Sequence, residues 1–229
     1  MRGARLRNSA TRVVAWLRSS GRVVPISRKF GFDRGCPVDR FFIERFLKQY
    51  AADIKGSVLE FGGDEYSRRF GGNRITEMEV LDVSLENQRA TLVADLASSE
   101  NLPSKRFDCI VCTQTLQFIY DIDSSIRSLE QMLIPGGILL LTVPGISQIS
   151  KYEMLRWGDY WRFTSLSLGR TLGEVFSKES MRIVSYGNVA AAVALLEGLA
   201  VEELSERQLE YFDPDYEVVI GARAVKACT

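Results

Sequence analysis

Short apolar segments alternate with helix-like segments through the middle of this chain, and that alternation restricts the fold more than any other feature. Units of this kind place strands side by side in a parallel sheet, with the connecting helices on both of its faces. We therefore predict a doubly wound α/β fold with a mostly parallel sheet. The predicted strands are residues 57–61, 78–83, 91–94, 107–113 and 137–143, and the predicted helices are residues 65–70, 84–89, 122–133 and 165–176.

The two ends of the chain differ from this middle part. Residues 1–30 contain eight basic side chains and no acidic one, whereas the rest of the 229 residues has 21 basic and 29 acidic side chains. A chain of this length that is 46% hydrophobic can bury one sizeable core. We predict a basic arm at 1–30 and one domain at 31–229, which has a lead-in helix within 31–55, two late strands at 181–186 and 216–225, and a helical insertion between them at 188–210.

The basic arm allows more than one interpretation. Arginines interrupt its apolar stretch, so a secretory signal is not expected. The chain also lacks a run of about 18 apolar residues, the length that can span a membrane. A short amphipathic helix at 11–17 could lie on the protein's own acidic body, or it could contact a membrane surface or a partner. We expect a cytoplasmic protein, and its net charge of zero gives no reason to predict nucleic-acid binding.

The use of histidine and cysteine narrows the possible chemistry. The chain has no histidine, which excludes Ser-His-Asp and Cys-His catalytic groups. Cys109 and Cys112 have C-x-x-C spacing, but they fall in a predicted strand, where residues three apart face opposite sides of the sheet. We therefore predict buried strand cysteines and no metal site.

Acidic residues stand at the ends of three successive predicted strands. Glu60 ends the first strand, Asp82 the second and Asp95 the third. Ligands of parallel sheets bind beyond the carboxyl ends of the strands, near the point where the strand order reverses. An acid at the end of the second strand can accept hydrogen bonds from ribose hydroxyls. The simpler alternative is that each acid caps the helix that follows it.

Five motifs extend this pattern: E-F-G at 60–62, L-D-V at 81–83, A-D-L at 94–96, F-D-C-I at 107–110 and L-I-P-G-G-I-L-L-L-T-V-P at 133–144. In this order and spacing the chain resembles the class I S-adenosylmethionine-dependent methyltransferases, over about residues 56–226. The resemblance implies S-adenosylmethionine as the cofactor. It also implies a seven-stranded sheet in the order 3-2-1-4-5-7-6, with strand 7 antiparallel.

The resemblance further implies which residues bind the cofactor. Glu60 and Gly62 would lie by its methionine part, and Asp82 would hold the ribose hydroxyls. Asp95 and Leu96 would border the adenine. The remaining members of the predicted cofactor-binding set are Gly63, Asp64 and Val83, with Thr113 and Gln114 close to the sulfonium and the acceptor.

Asp64 departs from the first loop of that family, which usually has glycine at this position. S-adenosylmethionine carries no phosphate that must approach the backbone, so the change weakens a nucleotide-phosphate interpretation more than a methyl-donor one. Asp64 would either contact the positively charged end of the cofactor or close the site. A closed site would leave a different function, that of a degenerate methyltransferase-fold protein which serves as a binding or scaffold subunit.

The segment W-G-D-Y-W-R-F-T at 157–164 carries a narrower resemblance. Similar segments follow strand 5 in small methyltransferases of saccharide and secondary-metabolite pathways. In that subgroup a lead-in such as residues 31–55 would fold over the cofactor as a lid. The resemblance implies O-methylation of a small polar acceptor, such as a sugar or a glycosylated metabolite.

Candidate catalytic residues follow from this second resemblance. We predict Asp159 and Tyr160 as catalytic residues, with Tyr152 as a further candidate base, and Gln114 as a residue that orients the acceptor. The alternative for this segment is a packed aromatic cluster in which Arg162 satisfies backbone carbonyls. The expected partner is a small molecule, and the apolar helical residues at 188–210 could either cover the edge of the sheet or form a homodimer contact.

Overall fold

The computed structural model describes residues 23–228, so the helix predicted at 11–17 lies outside the described residues. Within the described part of the chain, seven strands form one sheet in the order β3-β2-β1-β4-β5-β7-β6. The strands are β1 Gly56–Phe61, β2 Ile75–Asp82, β3 Leu92–Val93, β4 Phe107–Thr113, β5 Leu133–Pro144, β6 Met181–Tyr186 and β7 Val219–Val225.

Helices connect most of these strands, as the alternation in the sequence predicts. Apolar residues recur at helical spacing in α3, where Ile126, Leu129 and Met132 are fully buried along one stripe. The helices are α1 Val38–Gln49, α2 Glu65–Gly71, α3 Ile122–Met132, α4 Lys151–Met154, α5 Ser165–Gly173, α6 Val189–Glu197 and α7 Glu206–Glu210.

The strand order reverses between β1 and β4. Glu60 of β1 pairs in parallel with Val80 of β2 on one side and with Val111 of β4 on the other. From β1 the chain continues outward through β2 and β3, and it then crosses back to β4 and β5. The carboxyl ends of β1 and β4 therefore lie at the switch point where ligands of such sheets bind.

Strand β7 runs antiparallel to β5. The Gly136 amide donates to the Lys226 carbonyl at 3.0 Å, and the Lys226 amide donates to the Gly137 carbonyl at 2.9 Å. These bonds join the beginning of β5 to the region just after the end of β7. The predicted order and the predicted antiparallel direction of strand 7 are both confirmed.

The main core covers one face of the sheet. Alternate residues of the central strands, such as Ile110 and Leu139, pack with the buried stripe of α3 and with Leu168 and Leu172 of α5. On the opposite face Phe46 of α1 lies so close to β7 that a Cβ added to Gly221 would be 2.5 Å from its ring. Burial on both faces explains why β4 and β5 are almost continuously apolar.

Two of the differences between the predicted and the observed elements have a local cause. Residues 84–89 form turns instead of a helix, because the Ser84 hydroxyl accepts from the Glu86 amide and the Asn87 side chain accepts from the Arg89 amide. Short polar side chains that bond nearby backbone amides in this way compete with helix formation. The strand predicted from residue 137 begins earlier, at Leu133, and Gly136 accommodates the extension with a φ of 78°.

Contacts divide the described residues into two compact units. The smaller unit contains residues 23–42, 146–148 and 185–219, and the larger contains residues 43–145, 149–184 and 220–228. Within the smaller unit, Arg34 forms an ion pair with Glu203. The division into one domain with a lead-in and an insertion stays a prediction. Within residues 23–228 we find no helix whose length and apolar character would let it cross a membrane.

Candidate functional site

Gly62 opens the loop that follows β1. Its φ is 73°, in the left-handed region that glycine adopts without strain, and its amide donates to the Leu81 carbonyl of β2 at 3.0 Å. A Cβ added at Gly62 would meet no atom of the described residues within 4 Å. The loop is thus fixed to β2 on one side and borders open space on the other, which leaves room for a ligand.

Glu60 holds this loop in place through hydrogen bonds to the start of α2. Its carboxylate is 3% exposed and accepts the Ser67 amide at 2.7 Å and the Tyr66 amide at 3.2 Å. Burial raises the pKa of Glu60, although the hydrogen bonds from Ser67 and Tyr66 act in the opposite direction. Glu60 therefore satisfies amides at the start of α2 and holds the loop against the helix. Its predicted place beside the methionine part of the cofactor stays a prediction.

Asp64 forms an ion pair with Arg68, four residues further on in α2. The carboxylate is half-buried, and no side-chain capping bond from it to α2 is formed. Gly63 beside it is buried, and a Cβ there would meet the Glu65 carboxylate. In this conformation the negative charge of Asp64 is balanced within the protein. Neither of its two predicted roles is decided by these contacts.

Asp82 is oriented by two donors in the turn after β2. One carboxylate oxygen accepts the Ser84 amide at 2.8 Å, and the other accepts Asn87 Nδ2 at 2.6 Å. The same Asn87 nitrogen donates to the Gly62 carbonyl at 3.0 Å. Asn87 therefore joins the turn after β2 to the loop after β1. Our sequence analysis missed this residue because it assigned residues 84–89 to a helix.

The loop after β3 places an exposed acid next to a buried leucine. Asp95 is exposed, and one of its oxygens accepts the Ala97 amide at 2.9 Å. Leu96 is 3% exposed and belongs to the core, whereas Val83, directly after β2, is 48% exposed. An exposed carboxylate, an exposed apolar side chain and a buried leucine can together border a flat polar ring, as the predicted adenine contacts require.

Gln114 follows β4 in a conformation that side-chain-bearing residues rarely adopt. Its φ is 49°, and its amide donates to the Thr142 carbonyl of β5 at 2.8 Å. Thr113, directly before it, pairs with Thr142 in the parallel ladder. The predicted residues Thr113 and Gln114 are therefore located where β4 and β5 end side by side, and the left-handed turn sends the chain away from the sheet.

Asp159 is fully engaged by hydrogen bonds. Its side chain is 1% exposed, its two oxygens bind both terminal nitrogens of Arg162 at 2.6 and 3.1 Å, and one of them also accepts the Ser150 amide at 2.9 Å. A carboxylate held in this way orders the loop, and these contacts leave it poorly placed to take a proton. Its predicted catalytic role stays a prediction, and the geometry favours a structural one.

Three aromatic side chains lie together near the ends of β4 and β5. The ring of Tyr120 is 5.4 Å from that of Tyr160, edge to face, and 5.9 Å from that of Trp161, stacked. We call Tyr120, Tyr160 and Trp161 the aromatic cluster. Their exposed fractions are 71%, 50% and 37%. This cluster joins residues after β4 to residues after β5, and it leaves the Tyr160 hydroxyl on an accessible residue.

The cysteines and one cavity do not contribute to this edge of the sheet. Cys109 and Cys112 are buried in β4, as predicted, and burial raises the pKa of the Cys112 thiol to about 12. A cavity of about 350 Å³ is lined by Arg68, Asn73 and the first residues of β2. It therefore lies by the amino end of β2, whereas the acids and Gly62 lie at the carboxyl ends.

The sequence of the chain matches a profile of the methyltransferase-domain family over residues 30–183. The matched region contains β1 to β5 and every residue of the predicted cofactor-binding set. The chain belongs to this methyltransferase family. The resemblance to class I S-adenosylmethionine-dependent methyltransferases is thereby confirmed. No curated protein matches this methyltransferase significantly.

Solved structures share its fold at low sequence identity. A methyltransferase described as SAM-dependent from Archaeoglobus fulgidus is 13% identical with a TM-score of 0.53, and the match covers 82% of our chain and 94% of that one. The N-methyltransferase NodS from Bradyrhizobium japonicum, in complex with S-adenosyl-L-homocysteine, is 14% identical with a TM-score of 0.56, covering 88% and 94%. The [4+2]-cyclase SpnF is 14% identical with a TM-score of 0.52, covering 98% and 95%. At these identities the matches show the fold alone.

The residues of this methyltransferase fit the cofactor of its family. Gly62 leaves space where any side chain would intrude on a ligand. Asp82 offers a carboxylate that its own turn has already oriented, and Asp95 offers a second, exposed one. Hydroxyls of a ribose and the amino group of an adenine are donors, so acceptors of this kind are the groups that the cofactor needs.

Proposed function

We propose that this methyltransferase transfers the methyl group of S-adenosylmethionine to an oxygen of a small polar acceptor, such as a sugar or a glycosylated metabolite. The observation that supports this acceptor class is the exposed aromatic cluster near the ends of β4 and β5. Aromatic faces suit the C–H faces of sugar rings, because they offer rigid apolar area with polar edges. The alternative nitrogen acceptor is represented among the similar structures by the N-methyltransferase NodS.

Each cofactor-binding residue has a defined task in this proposal. Glu60 keeps the loop after β1 in place, and Gly62 gives the cofactor access to the backbone. Asp82, oriented by Asn87, accepts the ribose hydroxyls, while Asp95 and Leu96 border the adenine. When bound, S-adenosylmethionine supplies a methyl group on a positively charged sulfur, which an oxygen nucleophile can attack in line. The protein contributes by alignment, which can supply a large share of the barrier reduction.

The acceptor hydroxyl reacts better when a base removes its proton. Tyr160 is half-exposed and belongs to the aromatic cluster, so its hydroxyl can reach an acceptor that stacks there. Tyr152 is 62% exposed, but the Arg156 guanidinium lies 3.5 Å above its ring. Asp159 is occupied by Arg162. Of the three predicted candidates, Tyr160 therefore has the most favourable position.

A scaffold or binding subunit with a methyltransferase fold is the competing function. Asp64, which forms an ion pair with Arg68, favours it, because a charged side chain stands in the loop where the family usually has glycine. The cyclase SpnF also has a similar fold, so the fold by itself does not determine the reaction. The oriented carboxylate of Asp82 and the open space at Gly62 favour an active methyltransferase over a scaffold.

A melting scan with S-adenosylhomocysteine separates the two functions. At a ligand concentration near 100 times its Kd, binding adds about 2.7 kcal/mol to the free energy of unfolding. For a chain of this size we expect the Tm to rise by about 5–10 °C. Adenosine at the same concentration serves as the control and should give a smaller shift. No shift at millimolar S-adenosylhomocysteine would support the scaffold function and contradict ours.

Two further expectations also stay proposals. We propose that the protein acts in the cytoplasm, and that α6 forms a homodimer contact. Val189, Val193 and Leu196 lie on one side of α6 at helical spacing and are 51%, 36% and 41% exposed. Sedimentation of the purified chain at several concentrations tests the dimer. A single monomer peak at all concentrations would contradict it.

A further inference from the structure

Two glutamine side chains touch each other just beyond β4. Gln117 Nε2 donates to the backbone carbonyl of Gln114 at 2.9 Å and to its side-chain oxygen, Oε1, at 3.4 Å. We call Gln114 and Gln117 the amide pair. Gln117 is 5% exposed, and Gln114 is half-buried. Two polar atoms of the pair, Gln114 Nε2 and Gln117 Oε1, are buried and have no hydrogen-bond partner among residues 23–228.

Exchanging oxygen and nitrogen in either amide does not remove this pattern. If the side-chain amide of Gln117 were rotated by half a turn, its oxygen would face the backbone carbonyl of Gln114, and two acceptors would meet. With Gln114 turned over, its nitrogen would face Gln117 Nε2, and two donors would meet. The contacts therefore settle which atom of each amide is oxygen and which is nitrogen, and they leave one unpaired donor and one unpaired acceptor. An unpaired buried polar atom destabilises the protein, and a suitable partner would remove that loss.

The chemistry of a suitable partner follows from these two atoms. It must accept a hydrogen bond from Gln114 Nε2 and donate one to Gln117 Oε1. A neutral hydroxyl does both, whereas a carboxylate or a phosphate dianion only accepts, and an ammonium group only donates. The terminal torsion of a glutamine side chain is soft, so both amides can turn toward an incoming group.

The amide pair is connected directly to the aromatic cluster. The backbone carbonyl of Gln117 accepts hydrogen bonds from the backbone amides of Tyr160, at 2.8 Å, and Trp161, at 3.3 Å. These backbone bonds hold Gln117 beside Tyr160 and Trp161, so the amide pair and the aromatic cluster belong to neighbouring segments. The left-handed conformation of Gln114, with a φ of 49°, is a strain that glycine would not have. A glutamine at a position that glycine would occupy without strain indicates a use for its side chain.

We infer that the amide pair of Gln114 and Gln117 is a specificity subsite which binds a neutral hydroxyl of the acceptor and disfavours anionic acceptors. This inference rests on the proposed O-methyltransferase function and narrows its substrate class. Our sequence analysis assigned Gln114 an orienting role, and it did not identify Gln117. The pair would position the acceptor hydroxyl for attack without taking its proton.

The test uses the full chain with methyl-tritiated S-adenosylmethionine and three probes that share one ring. Methyl α-glucopyranoside has a neutral hydroxyl at C6 and is the neutral probe. At the same position its anionic counterparts carry a carboxylate, in glucuronic acid, or a phosphate, in glucose 6-phosphate. We expect at least about tenfold more label in the neutral probe, since one good hydrogen bond is worth about that factor. Equal labelling of the anionic probes, or no labelling of the neutral one, would overturn the inference.

Two variants and one control identify the residues responsible. Gln117→Leu should lower labelling of the neutral probe about tenfold and reduce its advantage over the anionic probes. Gln114→Gly should have the same effect without a lower Tm, because glycine relieves the strain, so a folded variant is available even if Gln117→Leu is unstable. Gln131→Leu replaces an exposed glutamine of α3 and should change nothing.

The Tm shift with S-adenosylhomocysteine separates the two possible failures. If the unmodified chain shows no shift, the proposed methyltransferase function itself fails. If the shift is present in the unmodified chain and in all variants, but Gln117→Leu and Gln114→Gly keep full selectivity for the neutral probe, only the subsite is wrong. A structural role alone would alter the Tm and leave the selectivity unchanged.

Discussion

At the scale of single residues, the site depends on side chains that orient other side chains. Asn87 bonds both the Asp82 carboxylate and the Gly62 carbonyl through one nitrogen. Asp82 can then accept ribose hydroxyls in a fixed direction, without first losing the entropy of a free side chain. Glu60 acts in the same way on the loop that it holds. We therefore expect substitutions of such residues to alter ligand affinity more than fold stability.

Asn87→Ala tests this expectation at one residue. Loss of its amide removes three hydrogen bonds, those with Asp82, Gly62 and Arg89, and we expect the Kd for S-adenosylhomocysteine to rise about tenfold. The Tm without ligand should change little, because Asn87 is only half-buried and makes no core contact. Isothermal titration calorimetry measures the Kd. Asn73→Ala, at an exposed position, is the matched control, and an unchanged Kd for Asn87→Ala would contradict the orienting role.

Glu60 should give the stability of the protein a distinct pH dependence. Burial raises its pKa above the ordinary value of 4.5. As the pH rises from this value, the unfolded chain loses the Glu60 proton before the folded protein does. The folded state then binds more protons, so this group lowers the free energy of unfolding with rising pH until its folded pKa is passed.

Glu60→Gln isolates this effect. We expect the free energy of unfolding of the unmodified protein, minus that of the variant, to fall as the pH rises above 4.5. Urea titrations at several pH values measure the difference, and other titrating groups cancel because both proteins contain them. A difference that rises with pH would mean that the amides of Tyr66 and Ser67 stabilise the carboxylate more than burial disfavours it.

At the scale of elements, helix α6 begins at a residue that also supports its surroundings. Asn188 is 4% exposed, and its side-chain oxygen caps α6 by accepting the Ala191 amide at 3.0 Å. Its side-chain nitrogen donates to the carbonyls of Gln208 and Tyr211 at 2.9 and 2.6 Å. One side chain thus starts α6 and satisfies the end of α7. The apolar composition of α6 alone could not fix where that helix begins.

Asn188→Ala should be strongly destabilising for a single polar substitution. Loss of the cap costs about 1 kcal/mol, and buried carbonyls without donors add about 1 kcal/mol or more. We expect the Tm to fall by about 4–8 °C. Ser177→Ala is the control, because Ser177 precedes a short 3-10 helix and its side chain makes no capping bond. Equal Tm values for the two variants would contradict the structural role of Asn188.

At the scale of the whole molecule, charge is divided unevenly along the chain. Six of the eight basic residues in the first 30 positions lie within residues 1–25, and the rest of the chain is acidic. Hydrogen bonds to the remainder occur directly after this segment, since the amides of Ile26 and Ser27 donate to the Glu197 carbonyl at 2.9 and 3.0 Å. The arm can therefore be removed without breaking these bonds.

Deletion of residues 1–25 tests whether the arm is peripheral. We expect the Tm and the shift with S-adenosylhomocysteine to persist, while binding to anionic vesicles is lost, because each basic residue near such a surface contributes about 1 kcal/mol. Co-sedimentation with vesicles of phosphatidylcholine and phosphatidylglycerol measures binding, and pure phosphatidylcholine is the control. A deletion variant that does not fold would show that the arm belongs to the core.

Much of the fold could be predicted from the sequence, because the residue patterns that mark its strands and helices are local. The bounds of β4 and β6 agree with the predicted segments, since runs of apolar and β-branched residues mark buried strands. The acids at the strand ends and the P-G-G segment were sufficient to suggest the family and its strand order. The helix predicted at 84–89 was wrong, because side chains of the turn bond their own backbone.

The sequence by itself determined the order of strands and helices, the edge of the sheet that carries the acids, and the family of the chain. The tertiary structure alone decided the partners of the functional side chains: Arg162 for Asp159, Asn87 for Asp82, and Gln117 for Gln114. Each pair joins residues three to five positions apart in one loop. The path of each loop depends on its bonds to other segments, such as those from Asn87 to Gly62 and from Tyr160 to Gln117. Spacing along the chain does not specify that path, because hydrogen bonds depend on distance and direction in space.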